Sequence, residues 1–499
     1  MSDSLTTVRQ IPRSGVVNRT HRHRIVGAMI AAACADALGA PFEFGPAGAY
    51  SAEFPKPVLG GIGEMTGGGG FGWAPGEFTD DTQMAVVLAH RLIADNGLDP
   101  AEVFADWQAW ATTAADVGIT TRAALNGPDA ATAAADAHRT QLGGRSAGNG
   151  AVMRVLPLAI AMSGYRGDDA TALTIELARR QSALTHHDPA AGWGAAVYTE
   201  LVRRVLLGAD PWAELPSVID LIDDPDIAEL YRDLLDPQWT PEAAHAPSNG
   251  TAWGCLAQAI WAVRTHNTID TAIIGAIDLG GDTDTVACVA GGLVGAMYGI
   301  QAVPSRWSTY VHGVITTRRG TERITNSGLQ QLALELVGDA PAHPAVSEHH
   351  AGPTEVSDGI FVASFPGVAD AVANGSFHGA VLSLCRVGDA IAELPVRREV
   401  YLVDKEGSAN PLLRTVVEDA VATIDAWRAE GHDVVVHCHG GRSRTCLITM
   451  AWAMRAFGCT ADQARDWLSS QWPHLSLWNT TFWDFLTDEW EPACGGGAA

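Results

Sequence analysis

LGGDTDTVACVAGGLVGAMYG, Leu279 to Gly299, reads as a glycine pair, an acidic turn Asp282-Thr283-Asp284-Thr285, and an apolar helix beginning near Val286. A second acidic turn, Thr79-Asp80-Asp81, stands ahead of another apolar helical stretch, Thr82 to Asp95. Either turn alone is explained by helix capping, since Asp and Thr oxygens accept from free N–H groups and carboxylates suit the helix dipole. The pair together needs more than capping. With Glu43, which follows a further helical stretch, the turns supply five carboxylates and three hydroxyls. Such a set suits a hard cation, and two magnesium ions close together hold and activate a water between them.

Working outward, residues 22–317 form a series of Ala-rich helical stretches with apolar residues three and four apart, such as Ala151 to Met162 and Gly192 to Leu207. Glycine-rich loops at Gly60 to Gly76, Gly143 to Gly150 and Gly280 to Asp284 interrupt them, and loops of this kind in a helical domain tend to carry function. Residues 318–357 are polar and rich in Pro, Ala and His toward their end, which reads as a linker. Residues 358–490 then alternate short apolar runs (GIFVAS, GAVLSL, EVYLV, DVVVHC) with helical patterns such as Pro411 to Glu430. The expected fold is therefore multidomain, all-α and then α/β.

At the acidic turns the chain resembles the ADP-ribosylglycohydrolase family, of the dinitrogenase reductase-activating glycohydrolase type. The resemblance rests on five segments in the family's order: ACADALGAPFEF from Ala33, GGGFGWAPGEFTDDTQMA from Gly68, GNGAVMRVLPLA from Gly148, THHDPAAGWGA from Thr185, and the Leu279–Gly299 stretch. It implies an all-helical fold with two magnesium ions held by Thr79, Asp80, Asp81, Asp282, Asp284 and Thr285. It also implies that Glu43, beside the metals with Asp81, activates the attacking water. The Gly148-Asn149-Gly150 loop and His186 would hold ADP-ribose, and the substrate would be an ADP-ribosylated protein or small-molecule acceptor. Ala35 stands where the family has Gly, and Asp36 behind it is retained.

In the C-terminal part, VVVHCHGGRSRT places Cys438 after a strand-like run and before a helix, in a C-x5-R loop with two glycines. Backbone N–H groups and a helix N-terminus there bind a phosphate and favour the thiolate, and an arginine grips two phosphate oxygens. The segment resembles the protein tyrosine and dual-specificity phosphatase superfamily through His437, Cys438, Gly441, Arg444 and Thr445. The resemblance implies a phosphocysteine intermediate on a phosphomonoester substrate. Asp404 would act as the acid, Thr445 would assist the thiolate, and His437 would orient the loop. Cys446 replaces the family's Gly.

A formal charge of −25 argues against general affinity for nucleic acid or an anionic membrane. No run of about 18 uninterrupted apolar residues stands in the chain, and the eight cysteines lack a zinc or disulfide spacing, so the expected location is the cytoplasm. A bifunctional hydrolase is the first reading. The second is a regulatory module in which the helical domain senses ADP-ribose and controls the phosphatase.

Overall fold

The computed structural model describes residues 9–12, 15, 18–242, 248–339, 349–388, 391 and 394–495. They divide into two units. The first runs to Lys56, through Met65–Val303 and on from Tyr310; the second takes Pro57–Glu64, Pro304–Thr309 and the C-terminal part of the chain.

The first unit is helical, and its centre is the pairing of helix Arg19–Gly39 with helix Thr283–Tyr298. Both are buried nearly all round, so neither shows a polar face. Small residues bring the two backbones into contact. A Cβ on Gly295 would lie 2.4 Å from the Gly27 carbonyl oxygen, and one on Gly39 would lie 2.6 Å from Asp284 Cα. Ala35 is tolerated where the family has Gly because Gly291 faces it, and a Cβ there would come within 2.8 Å of the Ala35 methyl. Helix Arg19–Gly39 and its short extension to Phe42 are long and apolar enough to cross a membrane by composition, but 89% of the apolar window is buried inside the protein.

Residues 318–338, expected as linker, are ordered instead. Strands His312–Thr317 and Gly320–Thr325 form an antiparallel hairpin, and helix Asn326–Leu336 packs on helix Arg19–Gly39. The cause is apolar content that the polar surroundings mask: Ile315, Ile324, Leu329, Leu332 and Leu336 are all buried. Residues 340–348 of the expected linker lie outside the described residues.

The second unit holds a five-stranded sheet in the order Thr354–Ser357, Ile360–Ser364, Val434–Cys438, Ala380–Ser383, Arg397–Glu399. The first pair is antiparallel and the rest are parallel. Thr354–Ser357 also falls in the expected linker, and the strand expected over EVYLV ends at Glu399. The strand ending in Cys438 is central and wholly buried, as its unbroken apolar run requires in a parallel sheet. Within this unit Arg398 is fully buried; it donates to the Gly61 carbonyl at 2.8 Å and lies 5.5 Å from the Trp427 ring centroid.

Candidate active sites

The helices carrying the acidic turns begin at Asp80 and Thr283, so Asp80, Asp81 and Asp284 fall inside first turns. Thr79 and Asp282 occupy the N-cap positions, yet neither side chain makes a capping hydrogen bond. Capping therefore does not account for them. The two turns meet instead: Thr285 Oγ1 donates to Asp81 Oδ2 at 3.2 Å, and Thr79 Oγ1 lies 3.4 Å from the same oxygen. Glu43, Asp282 and Asp284 bring carboxylate oxygens within 4.8 Å of one another.

This cluster is electrostatically costly as it stands. Burial, and then neighbouring carboxylates, push Asp80, Asp81 and Asp284 well above the usual carboxylate range, and push Glu43 up to about 8. Among the described residues no arginine, lysine or histidine forms an ion pair with any of these acids. Asp81 Oδ1 and Glu43 Oε2 are buried without a hydrogen-bond partner. Buried, like-charged, unpartnered oxygens facing one another are the donor set that a divalent cation satisfies. The residues fit magnesium.

Asp36 is a brace for the first turn. Fully buried, it accepts from the Thr79 N–H at 2.9 Å, the Thr82 N–H at 3.0 Å and the Thr82 hydroxyl at 2.5 Å. Two asparagines hold the second turn. Asn149 Nδ2 donates to Asp282 Oδ2 at 2.8 Å, and Asn249 Oδ1 accepts from the Asp282 N–H at 3.3 Å. The Asn149 side chain, expected beside the substrate, is thus engaged in orienting a candidate ligand.

His186 is buried beneath the glycine loop, where a Cβ on Gly150 would lie 3.1 Å from its ring; its Nδ1 is 2.7 Å from the Thr185 hydroxyl. Burial holds it well below the ordinary histidine range, hence neutral. Arg154 is structural. It is fully buried, bonded to Gln181 and Thr185, and its guanidinium carbon sits 4.0 Å from the Trp107 ring centroid. The sequence reading missed Asp116, whose charge raises both Glu43 and Asp80 and whose own carboxyl is raised by burial. Asn249 was missed as well. Neither belongs to a pattern that marks it; each stands singly in a loop before a helix.

In the second unit Cys438 ends the central strand, and the loop after it enters helix Ser443–Phe457. Gly441 has φ +65°, and a Cβ there would lie 2.6 Å from the Ala363 carbonyl oxygen, so the loop closes only with glycine. Trp472 Nε1 donates to the Gly441 carbonyl at 2.7 Å and pins the turn. Arg444 Nη1 donates to Leu384 at 2.7 Å and Leu402 at 3.2 Å, which anchors it across the strand ends.

Asp404 lies at this loop, accepting from Ser443 Oγ at 2.9 Å with its Oδ2 3.7 Å from Arg444 Nε. His437 is fully buried; its Nε2 is 2.7 Å from Ser383 Oγ and its ring stacks on Phe365. It braces the strand end. Thr445 is fully buried behind the loop. Cys446 points into the core with its thiol pushed up to about 12 by burial, and both it and Cys438 are free thiols.

Facing carboxylates at two helix N-termini and a thiol at the mouth of a strand-to-helix loop are both hydrolytic arrangements, so the fold and sites define a two-domain hydrolase. The chain belongs to the ADP-ribosylglycohydrolase family, whose profile matches residues 18–344. Residues 397–491 match the catalytic domain of dual specificity phosphatases. The chain is 28% identical over 292 residues to ADP-ribosyl-[dinitrogen reductase] glycohydrolase of Rhodospirillum rubrum, covering 57% of this chain and 88% of that protein. It is 30% identical over 336 residues to ADP-ribosylarginine hydrolase Tri1 of Pseudomonas putida (strain GB-1), covering 64% and 79%. A solved ADP-ribosylglycohydrolase-related protein complex aligns with TM-score 0.50 and 31% identity, over 64% of this chain and 99% of that one.

Proposed function

We infer that the helical unit hydrolyses the bond between ADP-ribose and an arginine side chain with magnesium, and that the second unit hydrolyses a phosphomonoester through Cys438. The observation that carries the first half is the set of buried carboxylates at two helix N-termini that meet without a cationic side chain among the described residues. Two Tri1 relatives named as ADP-ribosylarginine hydrolases support the choice of acceptor.

Thr79, Asp80, Asp81, Asp282, Asp284 and Thr285 would hold two magnesium ions, which would supply Lewis acidity to a water and to ribose hydroxyls. Glu43 takes the proton of the attacking water; its half-buried carboxyl stands beside Asp282 and Asp284 for that transfer. The acid shell also stabilises positive charge that develops on the sugar as the glycosidic bond breaks. Asn149 and Asn249 hold Asp282 in place, and Asp36 does the same for the turn of Asp80 and Asp81. Gly148 and Gly150 let the loop close down on the buried His186, and the loop's backbone N–H groups hold the ADP-ribose.

In the second unit the Cys438 thiolate attacks phosphorus, Arg444 grips the transferring phosphoryl group with the donors its anchor leaves free, and Asp404 protonates the leaving oxygen. Thr445 assists the thiolate. Gly441 keeps the cradle tight.

The test is release of free ADP-ribose from an ADP-ribosylarginine peptide, with magnesium or with chelator, by wild type and Asp284→Ala. Magnesium-dependent release lost in the variant is expected. Binding of ADP-ribose without any release would favour the sensor. For the second unit, Cys438→Ser should abolish p-nitrophenyl phosphate hydrolysis, and acid quench of the wild type should trap a phosphoenzyme.

A further inference from the structure

The two most exposed large apolar side chains among the described residues are Ile119, 83% exposed, and Phe44, 76% exposed. Each stands close in sequence to an acid of the cluster. Phe44 follows Glu43 directly, and its N–H donates at 2.6 Å to the carbonyl of Gly281, the residue before Asp282. Ile119 follows Asp116 by three residues, and the hydroxyl of the next residue, Thr120, lies 3.4 Å from where a Gly148 Cβ would sit. The next most exposed large apolar side chain of this unit, Val314, is 48% exposed, and two far barer ones close in sequence to acids of the cluster ask for a ligand.

The backbone at Phe44 sharpens the point. Its φ is +60°, a left-handed conformation that a bulky aromatic residue rarely adopts, and Asn96 is the only other non-glycine residue of positive φ among the described ones. Strain of this kind persists where surrounding structure fixes it, and here the Gly281 hydrogen bond and the Gly45–Gly281 bridge do so. Glycine would remove the strain, yet the position carries an exposed phenyl ring.

We propose that Phe44 and Ile119 are specificity residues that clamp the acceptor side chain, the ring stacking on a planar guanidinium and Ile119 lying against its methylene stem. The inference rests on the glycohydrolase reading. Glu43 must lie at the anomeric carbon whose water it serves, and the acceptor nitrogen is bonded to that same carbon. The adenine lies two phosphates and a second ribose away. A residue adjacent to Glu43 therefore meets the acceptor, and an aromatic face there attracts a delocalised cation.

The test uses the full chain with magnesium in a Glu43→Gln background, with and without Phe44→Gly, titrated with an ADP-ribosylarginine peptide and with free ADP-ribose by calorimetry. Phe44→Gly should weaken the peptide about 10-fold, the scale of a partly desolvated cation–π contact. Free ADP-ribose should change by less than about 2-fold, and Tm should stay within about 3 °C, because glycine suits a positive φ. Ile119→Ser should act in the same direction. Equal weakening of both ligands would place the ring on the nucleotide and overturn the clamp, as would unchanged peptide affinity. Turnover with Phe44 and Glu43 intact separates the two ideas: no release alongside selective weakening sinks the hydrolase reading and leaves the clamp, whereas normal release with no effect of Phe44→Gly sinks the clamp alone.

Discussion

Arg154 and Trp472 show how buried polar side chains set the two sites without touching a substrate. Arg154 satisfies Gln181 and Thr185 and lies over Trp107, so its loss leaves buried acceptors unpaired and a void. Arg154→Leu should lower stability by about 2–4 kcal/mol, read as a fall in Tm, while KM for the ADP-ribosyl substrate changes little. A large rise in KM with unchanged Tm would instead put Arg154 on a phosphate. Trp472→Phe deletes the buried hydrogen bond to Gly441. Loss of about 1 kcal/mol of loop order should reduce kcat/KM on p-nitrophenyl phosphate about 5-fold. Cys438→Ser provides the zero against which that loss is read.

At the scale of elements, the seam between Arg19–Gly39 and Thr283–Tyr298 determines where the acid cluster falls. Gly295→Ala would drive a methyl to within 2.4 Å of the Gly27 carbonyl oxygen, and overpacking of this kind costs about 1–3 kcal/mol. A lower Tm with weaker magnesium binding is the expected result, because Asp284 rides on the same helix; an unchanged Tm would mean that the seam yields. Helices Asp80–Ala94 and Thr283–Tyr298 and their acidic turns were legible in the sequence, because Asp-Thr pairs ahead of apolar runs stand out at short range. So was the Cys438 loop, whose glycines and arginine keep a fixed spacing. The hairpin and helix of 312–336 were not, since their few buried apolar residues sit among charges and threonines. Asp116 and Asn249 were hidden for a related reason: long-range packing, which no local pattern encodes, brings them to the site.

Over the whole molecule, the buried acids give stability an uncommon dependence on pH. Without a cation, Glu43 and Asp36 keep protons in the folded state to about pH 8 and about pH 6, against ordinary values of 4.5 and 3.8. The folded state then binds more protons than the unfolded one, so stability present below about pH 4 is lost as pH rises to about 8. His21 and His23 act oppositely: burial lowers both to about 4 from 6.5, so their contribution is lost as pH falls through that interval. Above about pH 6.5 the histidine contribution levels off, while Glu43 still gives up its proton in the folded state. Chelated protein should therefore show a Tm that falls from pH 6.5 to 8, and magnesium should raise Tm more at pH 8 than at 6.5. A Tm that is flat over this range and indifferent to magnesium would contradict the cation site. The paired central helices have a further consequence during synthesis. Helix Arg19–Gly39 ends some 259 residues before its partner is complete at Tyr298. At about 5–20 residues per second the ribosome needs roughly 13–50 seconds to supply the missing half. For that interval the nascent chain carries one of its most apolar segments unpaired, a waiting time that a chaperone or early collapse must cover.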